Sequence, residues 1–239
     1  MKRALVTGGS GGIGAAVCRR LAADGHHVFV HGNRNAGAAA ALAAEITAAG
    51  GSAAAVAFDV TDAAASGAAL AALQAEGTIQ IVVNNAGIHD DAVFPAMRAE
   101  QWNSVIDVSL HGFFNVTQPL LLPMLRTRWG RIVNVTSVAA LAGNRGQVNY
   151  AAAKGALHAA TKSLALEVAS RGVTVNAVAP GIIATGMSDA AFDKETIAKL
   201  VPMQRAGTPA EVADLIGFLC SDQAGYITGQ VVSINGGII

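Results

Sequence analysis

The stretch RIVNVTSVAALAGNRGQVNYAAAK, Arg131 to Lys154, decides the fold. Ile132, Val133 and Val135 form a short apolar run rich in β-branched residues, which predicts a buried strand. The alanine-rich, amphipathic run YAAAKGALHAATKSLALEV predicts a helix. Gly143, Asn144 and Gly146 mark a turn-rich loop between the two. Tyr150 and Lys154 stand four apart, so the predicted helix carries both on one face. Ser137 falls where the strand ends, the edge at which open α/β sheets place their ligands.

That grouping suits proton transfer to a carbonyl. A phenol has a reference pKa of about 10, too high for a proton shuttle at neutral pH. An ammonium at ~4 Å, with an effective dielectric of ~20, favours the phenolate by about 4 kcal/mol before solvent screening, or roughly three pK units. A neighbouring hydroxyl holds a substrate oxygen against the phenol. Ser137, Tyr150 and Lys154 can thus protonate a carbonyl oxygen while a hydride arrives at its carbon.

Composition bounds the alternatives. A length of 239 residues suits a single doubly wound sheet. Net charge is zero and only 13% of residues are charged, so no nucleic-acid-binding surface is indicated. Hydrophobic content reaches 52%, but much of it is alanine and no run of 18 apolar residues occurs, so no membrane span is expected. The start, MKRALVTGG, runs straight into a strand without a signal-peptide core. Cys18 and Cys220 lack metal-ligand spacing, as do His89 and His111, and the cysteines read as buried thiols of a reducing compartment. A cytoplasmic enzyme without a metal is the expectation.

Upstream, Ala4 to Val6 reads as a strand, Thr7 to Gly14 as a glycine-rich turn, and Gly12 to Ala23 as a helix. The turn fits Gly9-x-Gly11-x-x-Gly14 and also Thr7-Gly8-x-x-x-Gly12-x-Gly14, with Ser10 and Ile13 inside it. Glycines let a backbone approach a pyrophosphate, and a helix N-terminus offers N–H groups and a positive dipole end. A second strand, His27 to His31, ends in Gly32-Asn33-Arg34, where an NAD site would place an acid. Arg34, with Asn33 beside it, suits a 2′-phosphate instead, so NADP(H) is the expected cofactor. A third strand, Ala53 to Phe58, leads to Asp59 and Val60, placed to meet adenine, while Asp62 reads as a helix cap beside Thr61.

Strand four, Ile79 to Val83, precedes Asn84-Asn85-Ala86-Gly87, whose small residues permit close cofactor approach. A long amphipathic helix begins near Glu100, and Pro119 and Pro123 should bend or interrupt it. Downstream lie strand six, Val173 to Val178, then Pro180-Gly181, and a weakly patterned segment at about 182–201 read as a substrate lid. Thr208 and Pro209 open a capped helix, and Gln230 to Ile234 form the last strand. The alternation predicts one α/β domain, a Rossmann-type doubly wound parallel sheet of about seven strands with helices on both faces.

Together these motifs resemble the short-chain dehydrogenase/reductases over essentially the whole chain: TGGSGGIG (7–14), NNAG (84–87), Ser137, YAAAK (150–154) and PG (180–181). GNRGQVNYAAAKGAL and YITGQVVSINGG look like the branch that reduces 3-oxoacyl groups on acyl carrier protein. The resemblance implies Tyr150 as acid, Lys154 as its pKa-lowering partner and ribose ligand, and Ser137 as the group that orients the carbonyl. It further implies cofactor contacts at Asn85 to Gly87, at Pro180 and Gly181, at Thr185 and through the Ile183 backbone. Gln147 and Met187 are implied at the substrate, Arg128 and Arg171 at an acidic carrier, and a homotetramer paired through long helices and the last strand.

Four positions depart from the family. Ser109 stands where the family has an asparagine that helps a water relay protons to the lysine; a serine hydroxyl can still hold a water, so Ser109 is expected at the catalytic centre. Gly11 replaces an arginine that assists the 2′-phosphate, Gly186 replaces a lid acid, and Asp90 stands where relatives carry arginine by the pocket. His158, one turn beyond Lys154, is expected to pack or to meet a subunit, while Met203 and Phe192 are candidates to touch substrate. The expected activity is NADPH-dependent reduction of a 3-oxoacyl thioester, in fatty-acid or polyketide/polyene-type synthesis. The alternatives are a dehydrogenase of free alcohols, sugars or polyols, and a non-catalytic nucleotide-binding partner.

Overall fold

The computed structural model describes residues 1–185 and 193–239. Seven parallel strands form one sheet: β1 (Arg3–Val6), β2 (His27–Gly32), β3 (Ser52–Ala57), β4 (Ile81–Asn84), β5 (Gly130–Val135), β6 (Val173–Pro180) and β7 (Val231–Ile234), in the order β3-β2-β1-β4-β5-β6-β7. Nine α-helices lie among the described residues: α1 (Gly12–Ala23), α2 (Ala36–Ala48), α3 (Ala63–Ala75), α4 (Ala99–Ile106), α5 (Gly112–Thr127), α6 (Ala139–Ala142), α7 (Val148–Val168), α8 (Lys194–Leu200) and α9 (Pro209–Cys220). None is long and apolar enough to cross a membrane.

The layers follow from which strands are buried on both faces. β4, β5 and β6 are buried along their whole length, as parallel strands covered on two sides must be. On one face Val17, Leu21, Leu42, Ile216 and Leu219 of α1, α2 and α9 pack against Val6, Val83 and Val133. On the other, Leu70, Val116, Leu120 and Val168 of α3, α5 and α7 pack against Leu5, Val82 and Ile132. Each fully buried Leu or Ile stabilises by about 1.5–3 kcal/mol. The order in which strands are added reverses between β1 and β4, and the strand C-termini open there, so the glycine turn, the NNAG stretch and Ser137 come out along one edge.

Local signals are honoured at most ends. Thr208 caps α9 and Glu211 reaches back in a capping box, with Pro209 in the first turn. Asp62 caps α3 by accepting from the Ala65 N–H.

The prolines do not interrupt the helix. α5 runs from Gly112 to Thr127 through Pro119 and Pro123. Pro123 has no N–H to give the Pro119 carbonyl, and the Gln74 side chain reaches that carbonyl instead, at 3.5 Å. The irregularity lies earlier, as a π-turn from Asp107 to His111 between α4 and α5.

Of the expected lid, residues 182–185 and 193–201 are described. Its first part is tied down by a bridge from Ile183 to Gly207, and its last carries α8, capped by Asp193. Gly186, Met187 and Phe192 lie outside the described residues.

Candidate active site

Between β1 and α1 the glycine turn folds tightly on itself. A Cβ on Gly14 would collide with the Gly8 carbonyl, and Gly8 and Gly12 have φ of +60° and +51°, which suit glycine. Side chains from neighbouring strands fasten the turn. Asn85 donates from Nδ2 to the carbonyls of Thr7 and Gly8, 3.0 Å each. Thr7 Oγ1 accepts from the N–H groups of Asn85 and Ala86. Asn85 therefore acts on the loop itself, a contact within the protein that the sequence reading had not placed.

The turn suits an anion. α1 has no side-chain cap and no acid in its first turn, so its N-terminal end carries the positive dipole with no side chain to offset it. The space where a Gly11 side chain would stand is open, with nothing within 4 Å. Ile13 packs its side chain on the core, so only its backbone serves the site.

The ends of β2 and β3 bring Asn33, Arg34 and Asp59 together. Thr61 donates to Asp59 through its N–H and its hydroxyl, at 2.9 and 2.8 Å. Those bonds, an Asn33 hydrogen bond and the Arg34 charge hold the Asp59 carboxyl below its usual range. Val60 is more committed to the core than expected. Its side chain is buried against Gly112 and its carbonyl accepts from Asn115 Nδ2 at 2.9 Å.

At the middle of the same edge stand Ser137, Tyr150 and Lys154. Ser137 follows β5, and its Oγ accepts from the Ala139 N–H at 3.1 Å. Tyr150, on the first turn of α7, has its hydroxyl close enough to Ser137 for that side chain to pull its pKa down. Lys154, one turn on, is buried and donates to the Val135 carbonyl at 2.9 Å, with Nζ 5.7 Å from the Tyr150 ring centroid.

The expectation of a phenol lowered by Lys154 is not met in this arrangement. Burial pushes the Tyr150 phenol up, Asp91 pushes it further, and only the Ser137 hydrogen bond pulls it down. Burial also lowers the Lys154 ammonium to about 8, still mostly charged at neutral pH. The dominant effect is desolvation, which the sequence does not display.

Gly87 and Ser109 complete the surroundings of the lysine. A Cβ on Gly87 would stand 3.1 Å from Lys154 Nζ and 3.8 Å from Ser109 Oγ, so the bare glycine leaves a path beside both. Ser109 lies within the π-turn, buried, and its Oγ has no partner among the described residues. Leaving such a hydroxyl unpaired costs about 1–3 kcal/mol, so it is suited to hold a water next to the lysine.

Supporting residues were missed in the sequence because their partners are distant. Asn149 is fully buried. It donates from Nδ2 to the carbonyls of Asp90 and Gln101 and accepts the Tyr150 N–H at 2.8 Å. Asp90 accepts from Gln101 Nε2, so it braces α4 against the loop after β4. Gln147, expected at the substrate, spends its amide on Asp91 and accepts from Asn144. His158 packs as expected, bonded to Thr136 Oγ1 at 2.9 Å.

Val138 N–H bonds the Pro180 carbonyl, Gly181 packs on Asn235, and Thr185 sets its methyl 3.5 Å from the Cβ position of Gly12. Thr185 thus lies against the glycine turn.

Arg128 and Arg171 lie elsewhere. They precede β5 and β6, at the strand N-termini, and Arg128 bonds the Ser170 carbonyl. Six residues of β5 separate that edge from Ser137, roughly 20 Å. The same protomer's site is out of their reach.

A Rossmann sheet with a bare helix N-terminus and a Ser–Tyr–Lys group at its open edge defines a nicotinamide-dependent oxidoreductase class. The profile of the family described as short chain dehydrogenase matches residues 2–196, and the chain belongs to that family. It is 43% identical over 236 residues to the 3-oxoacyl-[acyl-carrier-protein] reductase FabG of Aggregatibacter actinomycetemcomitans, covering 98% of each chain. It is 43% identical to Nodulation protein G of Rhizobium sp. (strain N33), covering 99% of this chain and 96% of the relative. The FabG reductase of Staphylococcus aureus (strain Mu50 / ATCC 700699) is 42% identical, with 99% and 98% covered.

Proposed function

We propose that this chain reduces a 3-oxoacyl thioester to the 3-hydroxyacyl thioester with NADPH, in fatty-acid or polyketide/polyene-type synthesis. The observation that carries the reading is the neighbouring Ser137 and Tyr150 hydroxyls with Lys154 buried one turn away. A nicotinamide dinucleotide, when bound, supplies the hydride. The chain's own groups manage the oxygen. Ser137 donates to the ketone oxygen and fixes it against the phenol. Tyr150 gives its proton to that oxygen, and its raised pKa keeps the proton in place until then. Lys154 keeps a positive charge at the site, which steadies the phenolate left behind. Ser109, beside Lys154, is the entry point for the replacing proton.

NADPH is favoured over NADH because Arg34 and Asn33, and no acid, close the end of β2. A homotetramer fits the exposed Phe114, Leu122 and Leu166 on α5 and α7 and the edge position of β7. A reducing, cytoplasmic setting fits Cys18 and Cys220, both buried and both pushed up to about 12. A carrier docked on Arg128 and Arg171 requires a second protomer, since these residues are remote from their own site. That same distance favours the second reading, a dehydrogenase of free alcohols, sugars or polyols.

The test is NADPH oxidation with a 3-oxoacyl group on acyl carrier protein and on a short carrier-free thioester. Turnover on the carrier at least tenfold faster supports the proposal. Bound NADPH with no turnover on either substrate would move the reading to free alcohols.

A further inference from the structure

His31 is the fifth residue of β2, and at 2% exposure it is nearly sealed from solvent. Its ring joins two pieces of the nucleotide edge. The Gly8 N–H donates to Nδ1 at 3.1 Å. Nε2 lies 2.9 Å from the Phe58 carbonyl, at the end of β3, and the Phe58 ring sits against the imidazole. The backbone adds a third tie, from the Gly9 N–H to the His31 carbonyl at 2.8 Å. One side chain thus spans from the glycine turn to the residue just before Asp59.

The partners settle the tautomer. A backbone N–H can only donate, so Nδ1 must be bare; a carbonyl can only accept, so Nε2 must carry the hydrogen. A second proton on Nδ1 would set two donors against each other and release Gly8.

We propose that His31 is a positioning residue for the dinucleotide, holding the glycine turn in its anion-binding shape only as the neutral Nε2–H imidazole. The proposal rests on the dinucleotide reading and extends it to a pH-sensitive latch in that cleft.

The groups around the ring agree. From the end of β3, the Phe58 carbonyl and Asp59 favour the charged form, and Arg34 lies beside Asp59. From α1, Cys18 sits against Gly9 as a neutral thiol. The glycine turn itself brings no titratable side chain. Burial outweighs Asp59 and pushes the imidazole below its usual value. The latch is therefore closed at neutral pH and opens on the acid side of about 6.5.

Two substitutions separate the two bonds. His31→Asn places an amide oxygen near the Nδ1 position and keeps an acceptor for Gly8. His31→Gln places an amide nitrogen near the Nε2 position and keeps only the donor to Phe58. NADPH and NADH affinities are measured by nucleotide fluorescence, with NADH alone used for the pH series because a 2′-phosphate titrates near 6. His31→Gln should weaken both nucleotides about tenfold with their ratio unchanged. His31→Asn should stay within threefold of the parent and lose the acid-side weakening that the parent shows between about pH 7 and 5.5. Unchanged affinity in His31→Gln, or an identical acid limb in His31→Asn, overturns the proposal.

Nitrogen NMR of the imidazole and Gly8 amide exchange decide the latch without nucleotide. A hydrogen on Nε2 at pH 7, with Gly8 exchange at least tenfold faster in His31→Gln than in His31→Asn, supports it. A hydrogen on Nδ1 overturns it. If the parent protein bound neither nucleotide while these NMR results held, the dinucleotide reading would fall and with it the role in binding, leaving a latch of the loop alone.

Discussion

The half of the sheet proposed to face a nucleotide and the half proposed to face a substrate are built differently. In the first, β3 is Ser-Ala-Ala-Ala-Val-Ala and α2 and α3 are mostly alanine, so small groups and close backbone contacts do the packing. In the second, polar side chains run through the core. Asn84 donates to Thr117 on α5 and to Asn134 on β5, and Asn134 donates to Thr161 on α7, each at 2.8–2.9 Å. These bonds tie α5, β4, β5 and α7 in one line beneath Tyr150 and Lys154. Backbone packing suffices where the ligand is met by N–H groups. Where one hydroxyl must meet one oxygen, buried side-chain bonds fix the helix that bears it.

The comparison breaks first at the acid. Tyr150→Phe should lower kcat about a thousandfold while NADPH still binds within a few-fold; a residual rate above a tenth would remove Tyr150 from its role.

Lys154→Met should lower kcat at least a hundredfold, yet raise the thermal midpoint at pH 7. The sign follows from the lysine's pKa, lowered from 10.5 to about 8. Between those values the unfolded chain holds more protons, so the parent's stability rises with pH there. Below 8 it carries the full cost of a buried charge, and the variant's advantage should shrink by pH 10. An advantage independent of pH would contradict this.

Asn134→Ala should destabilise by about 2–4 kcal/mol in denaturant melts, since it opens a cavity and strands Asn84 and Thr161. A loss under 1 kcal/mol would show that the polar line is not what holds this half.

In the nucleotide half the effects should be smaller. Arg34→Ala should weaken NADPH about 10- to 30-fold and NADH hardly at all; equal losses would reject a 2′-phosphate contact. Gly67→Ala lies in α3, where an added Cβ meets nothing within 4 Å, and should stabilise by about 0.5–1 kcal/mol in the same melts.

Sequence made the local pieces legible. The strand, glycine turn and helix at 4–23, the four-residue spacing of Tyr150 and Lys154, and the Thr208–Glu211 cap are all set by neighbours in the chain. What it hid depends on partners far apart. The Asn84–Asn134–Thr161 line joins three separate elements, His31 works through Gly8 and Phe58, and the direction of the Tyr150 pKa follows burial. The π-turn at 107–111 was missed because Pro119 and Pro123 drew the expected break to themselves, while Gln74, distant in sequence, meets the carbonyl that Pro123 leaves free.

The strand order has a kinetic consequence. β1 leads the chain yet lies inside the sheet, with Val6 paired to Val30 on one side and to Val83 on the other. The β1–β2–β3 ribbon can assemble early, but its inner edge waits for β4 and everything beyond it. Such non-local parallel pairing closes long loops before it is rewarded and is slow to form. Until β4 arrives, Ala4 to Val6 present an apolar edge open to other chains. Refolding yield should therefore fall with rising protein concentration more steeply than native stability alone would suggest.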